Sequence, residues 1–167
     1  MREPDAVDMQ PLAQPPAAAR AKLERFYPRV RAWYDAVEAR CLPLGRPLTP
    51  QEMDDARRLG VLRPQDVRIV LLDAFPMPED VELRQGAGRH SLGSRNEAGR
   101  TMGHAILLKA WAAEEPSLLR HELVHVAQMD RLGREGFLRR YLLELEVQGC
   151  ARSPLELEAY ARQGALR

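Results

Sequence analysis

Cysteine and excess charge are scarce in this sequence, and each scarcity narrows the classes of protein that fit it. The 167 residues include two cysteines, Cys41 and Cys150, too few for a disulfide framework. We expect two reduced, buried thiols in a cytoplasmic protein; the alternative is a single disulfide bond between them. The formal net charge is +1, so neither nucleic acid nor an acidic membrane surface is an expected partner.

Long apolar runs are also missing from the chain. No segment is apolar over enough residues to span a bilayer, and the first residues lack the basic start and apolar stretch of a signal peptide. Residues 1–20 contain Pro4, Pro11, Pro15 and Pro16, which predicts a flexible tail. Hydrophobic residues make up 45% of the chain, which suits a single domain over residues 21–167.

Two helices are predicted in the N-terminal half. Apolar residues recur at helical spacing from Leu23 to Cys41, and Pro28 either kinks this helix or begins a shorter one. Thr49-Pro50-Gln51-Glu52 has the pattern of a capping box with proline at the first helical position. We expect a short helix there, ending at Gly60.

The middle of the chain favours strands. Residues 67–72 (VRIVLL) predict a strand with both faces largely covered, and residues 104–109 (HAILLK) predict a second strand. Residues 84–103 contain five glycines, so we expect the loosest stretch here, with at most short extended pieces.

Three helices are predicted after these strands. The first covers about residues 117–132 and stops at Gly133; the second carries an apolar stripe and stops at Gly149. Ser153-Pro154-Leu155-Glu156 has a capping-box pattern that opens the third. The expected fold is α+β, with a small sheet, the 117–132 helix packed on it, and helices at both ends.

The segment His121-Glu122-Leu123-Val124-His125 is the most informative part of the sequence. Four residues advance a helix by slightly more than one turn, so both imidazoles lie on one face and can reach one tetrahedral Zn²⁺. Glu122 lies beside them, where its carboxylate can take a proton from a metal-bound water. The alternative is a pair of hydrogen-bonded core histidines with a surface glutamate.

A catalytic zinc needs a third protein ligand. Glu156 is the first candidate and Glu158 the second; two residues turn a helix by about 200°, so only one of them can face the ion. Glu156 has a competing role as the capping partner of Ser153. Glu158 also has a competing role, as a solvated charge paired with Arg162, four residues on.

Other polar residues have simpler interpretations. Cys150 could bind zinc as a thiolate, but thiolates are commoner in closed structural sites. His90 and His104 are expected to be surface or hydrogen-bonded histidines. The Glu144 and Glu146 charges predict a solvated helix face.

At these residues the chain resembles the gluzincins, the zinc metallopeptidases that include thermolysin. The resemblance rests on HELVHVAQ at 121–128, PLELEAYA at 154–161 and the strand TMGHAILL at 101–108. More closely, the chain is similar to small, mostly uncharacterised bacterial proteins with a HELxHxxQ helix and a downstream Pro-x-Glu-x-Glu-Ala segment. The resemblance covers about residues 48–163 and implies a minimal zincin-like fold.

The family pattern implies particular roles. Its third ligand is a glutamate on a later helix, which selects Glu156, and an aspartate four residues on often supports a metal-bound histidine. Tyr160 stands at that position here. Support for the histidine must then come from elsewhere, and the Tyr160 hydroxyl, a backbone carbonyl and another acid are the candidates considered.

These observations predict zinc-dependent hydrolysis of a peptide bond in a peptide or protein substrate. Zn²⁺ would be held by His121, His125 and Glu156, with Glu122 as general base and Tyr160 as donor to the developing oxyanion. A substrate could add as a strand to an edge formed by residues 104–109. The alternatives are a zinc-binding structural or interaction protein without turnover, and a metal-free domain.

Overall fold

The chain builds a four-stranded sheet and six α-helices in the part that the structure, a computed structural model, describes: Leu12 and residues 14–166. The predicted α+β class is confirmed. The helices are α1 (Ala17–Cys41), α2 (Pro50–Arg58), α3 (Val81–Arg89), α4 (Pro116–Leu132), α5 (Arg134–Gln148) and α6 (Pro154–Gln163), and the strands are β1 (Arg46–Pro47), β2 (Arg68–Leu71), β3 (Gly99–Met102) and β4 (Ala105–Leu108).

The strand order in the sheet is β1-β2-β4-β3. β4 runs parallel to β2, whereas β1 and β3 are antiparallel to their neighbours. The prediction that residues 104–109 form a sheet edge is therefore wrong, because β4 is paired on both sides. The edge beside the motif helix is β3, which arises from the glycine-rich segment.

A tight turn at Gly103 joins β3 to β4. Gly103 has φ +67°, and a Cβ atom there would collide with the Glu38 carboxylate, so a side chain is excluded by both conformation and space. The Gly103 N–H donates to the Tyr34 hydroxyl (2.6 Å), and the His104 N–H donates to Glu38 Oε1 (2.7 Å). These bonds attach the hairpin to α1 and fix the position of β3.

The core has two apolar clusters, and α4 contributes to both. Alternate residues of β4 face opposite sides, so Ile106 joins one cluster and Leu107 the other. Ten of the 17 residues of α4 are buried, including Leu123 in the first cluster and Met129 in the second. The predicted packing of the motif helix on the sheet is confirmed, and it holds the motif in a rigid, buried element.

Helix α1 is one continuous helix with Pro28 inside it. It begins at Ala17, within the segment predicted as a tail; residues 1–11 and 13 of that segment lie outside the described residues. No helix in the described part is both long and apolar enough to span a membrane.

The structure differs from the sequence prediction at helix α3, because most of its residues were predicted to lie in a loop. The Asp80 side chain caps the helix by accepting from the Leu83 N–H at 3.1 Å. Asp80 and Glu82 also pair with Arg29, and Glu82 with Arg25, on α1. These ion pairs join segments that are distant in the sequence. The prediction of a loop rested on the local glycine content, which carries no information about such contacts.

The remaining local predictions largely hold. The capping box of Thr49 and Glu52 forms at the start of α2, and α4 and α5 end at the predicted Gly133 and Gly149. Both cysteines are free thiols; Cys41 is buried as expected, whereas Cys150 is exposed.

Candidate metal centre

The two motif histidines lie one turn apart on α4 and turn toward each other. Their rings meet edge-on with centroids 4.9 Å apart, and the Nε2 atoms of His121 and His125 are separated by 3.2 Å. Both residues are buried. The predicted stacking of imidazoles on one helical face is therefore present in the structure.

Glu156 reaches this pair from the first turn of α6. Its Oε2 lies 3.1 Å from His121 Nε2, and its Oε1 lies 3.4 Å from His125 Nε2. One ligand atom from each of these three residues lies within 4.8 Å of the other two. Glu158 turns away and pairs with Arg131 and Arg162, so Glu156 is the acid in reach of both imidazoles.

The electrostatics of the cluster favour a positive charge at its centre. Burial opposes ionisation of Glu156, but hydrogen bonds with His121 and His125 outweigh it and place the pKa of the carboxyl far below its ordinary range. Burial also opposes protonation of His125, but the Glu156 hydrogen bond and the charges of Glu156 and Glu122 raise its pKa to about 9. Two imidazoles and one carboxylate are a donor set that suits Zn²⁺.

The outer nitrogens of the two rings are held by carboxamides. His121 Nδ1 donates to Gln163 Oε1 at 3.0 Å, and His125 Nδ1 donates to Gln128 Oε1 at 2.9 Å. When the rings are neutral, as metal binding requires, these bonds leave the lone pair on Nε2, the atom that faces the centre. The sequence left this partner open, and its candidates did not include a carboxamide. Gln128 stands in the quoted HELVHVAQ segment, and its spacing from His125 was the available signal.

Gln128 also connects the two ligand-bearing helices. Its Nε2 donates to the Leu155 carbonyl (2.8 Å) and to Glu158 Oε2 (3.1 Å), both on α6. The side chain is fully buried. A single amide thus orients His125 and fixes the helix that carries Glu156.

Tyr141 lies on α5, the helix predicted to carry an apolar stripe, and was not predicted as a site residue. Its hydroxyl donates to Glu156 Oε1 at 2.7 Å. Burial, followed by the Glu156 charge, raises the pKa of Tyr141 well above its ordinary value. The phenol therefore stays protonated and acts as a donor to the ligand carboxylate.

Glu122 lies against the edge strand β3. The Thr101 hydroxyl donates to Glu122 Oε2 at 2.7 Å, and a Cβ atom on Gly99 would lie 2.7 Å from Glu122 Oε1. The Glu122 side chain is buried rather than at the surface. Neither Thr101 nor Gly99 was predicted as a site residue. Both belong to the segment predicted as loose, although Thr101 also begins the quoted segment TMGHAILL.

The start of α6 differs from the predicted capping box. The Ser153 hydroxyl donates to Glu144 Oε2 (2.8 Å), which also accepts from the Leu155 N–H (3.1 Å). Glu144 is 1% exposed, so its prediction as a solvated charge is wrong. Glu146 is exposed, as predicted, and pairs with Lys22. Because Glu144 supplies the cap, Glu156 is free to face the histidines.

The other residues considered in the sequence analysis lie at different distances from the three converging ligands. The Tyr160 ring packs edge-on against His121 with centroids 4.6 Å apart, and the residue is 56% exposed. Cys150 also borders the cleft, but it is not a member of the group whose ligand atoms converge. His104 lies apart, beside Glu38 and Asp130.

The cluster opens into a cleft of about 640 Å³. His121, Glu122, His125 and Glu156 lie along its wall, together with the β3 residues 99–102. His90, in the segment after α3, is a further wall residue. The three candidate ligands and the candidate base are therefore accessible from one space large enough for part of a peptide.

Comparison with known proteins adds no further constraint: no family model, curated protein or solved structure matches this chain. Function must be inferred from the geometry and chemistry of the cluster.

Proposed function

We propose that this protein is a zinc-dependent peptide-bond hydrolase of the gluzincin type. The observation that carries the proposal is the convergence of His121, His125 and Glu156, with one ligand atom of each within 4.8 Å of the others. Glu122 lies on the same helix at the wall of an open cleft. The resemblance of residues 121–128 and 154–161 to gluzincin motifs supports the same assignment.

In this proposal the three residues hold the metal through the His121 and His125 Nε2 atoms and the Glu156 carboxylate. Bound Zn²⁺ would supply a water of lowered pKa and polarise the scissile carbonyl. Glu122 accepts a proton from the attacking water and then transfers it to the leaving amine. The Thr101 hydroxyl keeps the Glu122 carboxylate oriented during both transfers.

Substrate binding involves the edge strand and a donor across the cleft. β3 is paired to β4 on one side, so its other side offers backbone groups with which an extended peptide can pair. Tyr160 stands beside His121 at the cleft wall. Burial, followed by the Glu156 charge, raises its pKa, so a protonated hydroxyl is present to stabilise the oxyanion.

The test combines metal content with turnover. Purified protein should bind one equivalent of Zn²⁺ by elemental analysis and cleave peptides in a mixed library. Glu122→Gln should keep the zinc and lose turnover by at least roughly 100-fold, the contribution of a general base. Glu156→Gln should lose zinc, whereas Glu158→Gln, changed two residues away on the same helix, should retain it.

The outcomes separate the alternatives. Full activity in Glu122→Gln would eliminate the general-base assignment. Zinc bound by wild-type protein that cleaves no peptide would identify a non-catalytic zinc-binding protein. Zinc content near zero, with melting unchanged by chelator, would identify a metal-free domain.

A further inference from the structure

A second, smaller cavity lies between α1, α3 and α5 and has a volume of about 150 Å³. We call it the side groove. Its walls are mainly aliphatic and aromatic side chains from the three helices. The main contributors are Leu23, Phe26 and Val30 on α1, Leu83 on α3, and Leu142 and Leu145 on α5.

The side groove adjoins the metal cleft. Val30, Trp33, Leu142 and Leu145 line both spaces, and so does His90. A peptide in the cleft would therefore lie next to the side groove.

Several of the charges around the side groove pair with one another. Lys22 pairs with Glu146 at 2.6 Å, and Glu82 pairs with Arg25 and Arg29 at 2.9 Å each. The exposed Arg89 also borders the groove, but most of the wall is apolar. The group that fits is neutral and apolar, because a buried charge without a partner would be costly.

The size of the side groove sets the size of that group. A cavity of about 150 Å³ lined by leucine and phenylalanine side chains accommodates a benzene-sized molecule. Leucine, methionine and phenylalanine side chains are of this size. An isolated apolar cavity would not identify its ligand. The residues that the side groove shares with the cleft do, because the proposed peptide substrate lies in that cleft.

We propose that the side groove binds one large apolar side chain of the substrate peptide and so determines sequence preference. This inference rests on the proposed peptide hydrolysis and adds the substrate class: peptides with leucine, methionine or phenylalanine at one fixed distance from the cleaved bond. Burial of such a side chain improves binding by roughly tenfold or more over alanine.

The first experiment measures binding without turnover. Zinc-loaded Glu122→Gln protein is incubated with a library of random decapeptides, and the retained peptides are sequenced. We expect enrichment of leucine, methionine or phenylalanine at one position. Adding Ala87→Phe, which places a ring in the side groove from α3, should reduce that enrichment roughly tenfold. Adding Gln85→Phe, an exposed position on the same helix, should preserve it.

A second measurement distinguishes a blocked side groove from a misfolded variant. Toluene is titrated against the same three proteins, with Trp33 fluorescence and the leucine methyl NMR signals as readouts. Saturable binding should be lost in Ala87→Phe and kept in Gln85→Phe, while all three proteins keep their melting cooperativity. If Ala87→Phe unfolds, Ala87→Leu takes its place.

The outcomes distinguish this inference from the proposed function. Absence of positional enrichment with folded, zinc-loaded protein overturns the inference, even if peptides are cleaved. Enrichment in peptides that wild-type protein never cleaves supports the side groove and overturns hydrolysis. A wild-type dimer that Ala87→Phe converts to monomer, without enrichment, assigns the side groove to a second copy and overturns the inference.

Discussion

Glu144 on α5 accepts a hydrogen bond from the Leu155 backbone N–H on α6, at 3.1 Å, one residue before the candidate ligand Glu156. The same oxygen accepts from the Ser153 hydroxyl. A buried carboxylate on one helix thus caps the next helix and satisfies donors at its N-terminus. The cap determines where the Glu156 side chain begins its approach to the histidines.

Replacing Glu144 should therefore destabilise the fold and weaken metal binding together. In Glu144→Ala, the Ser153 hydroxyl and the Leu155 N–H lose their acceptor in a buried setting, at a cost of about 2–4 kcal/mol in unfolding free energy. Urea denaturation measures this cost, and chelator competition measures zinc affinity. Glu146→Ala, two residues on and partly exposed, should cost less than about 1 kcal/mol. Equal losses in both variants would argue against the cap.

The Tyr141 hydroxyl should matter for metal affinity rather than for the fold. Tyr141→Phe removes the donor to Glu156 Oε1 while keeping the ring that packs near His125. Loss of such a partner lowers zinc affinity by roughly 10-fold or more, which competition with a fluorescent chelator would measure. Tyr160→Phe should leave zinc affinity unchanged and lower kcat instead. Similar zinc affinities for wild type and Tyr141→Phe would exclude the orienting role.

Thr101 should support the base without touching the metal ligands. Thr101→Val removes the 2.7 Å hydrogen bond to Glu122, so kcat should fall roughly 10-fold or more while zinc content stays constant. Thr101→Ser keeps a hydroxyl at the same position and should restore much of the activity. Gly99→Ala is an independent test, because its Cβ would displace the Glu122 carboxylate. A rate in Thr101→Val equal to that of wild type would show that Glu122 needs no such support.

Glu38 should make stability depend on pH at acidic values. Burial opposes ionisation of its carboxyl, but interactions with His104 and Arg134 outweigh it and lower the pKa to about 2. The unfolded value is about 4.3, so the stabilisation is complete above pH 5 and is lost as the pH falls toward 2. We expect about 1–2 kcal/mol after solvent screening.

The corresponding measurement is urea denaturation between pH 2 and 7. Glu38→Gln should be less stable at neutral pH and should show a flatter decline below pH 5. Glu135→Gln, an exposed change on α5, is the control and should follow the wild-type curve. A wild-type slope retained in Glu38→Gln would assign the acid sensitivity to other groups.

Part of the fold could be predicted because its signals are local. The capping box at Thr49, the glycine stops at Gly133 and Gly149 and the aliphatic strand Ala105–Leu108 each depend on neighbouring residues. Helix α3 and strand β3 could not, because glycines weaken both patterns. Their stability comes from ion pairs to α1 and from pairing with β4.

The candidate metal centre also has a part that local sequence determines and a part that it does not. The spacing of His121, Glu122 and His125 within one helix follows from helical geometry alone, so the sequence determined that these side chains lie together. The approach of Glu156, and the supporting contacts from Thr101, Tyr141 and Gln163, were decided only by the tertiary structure. The bond from His121 to Gln163 joins residues 42 positions apart. Such contacts depend on how whole helices pack, and helix packing follows from the burial of apolar faces throughout the chain rather than from any short pattern of residues.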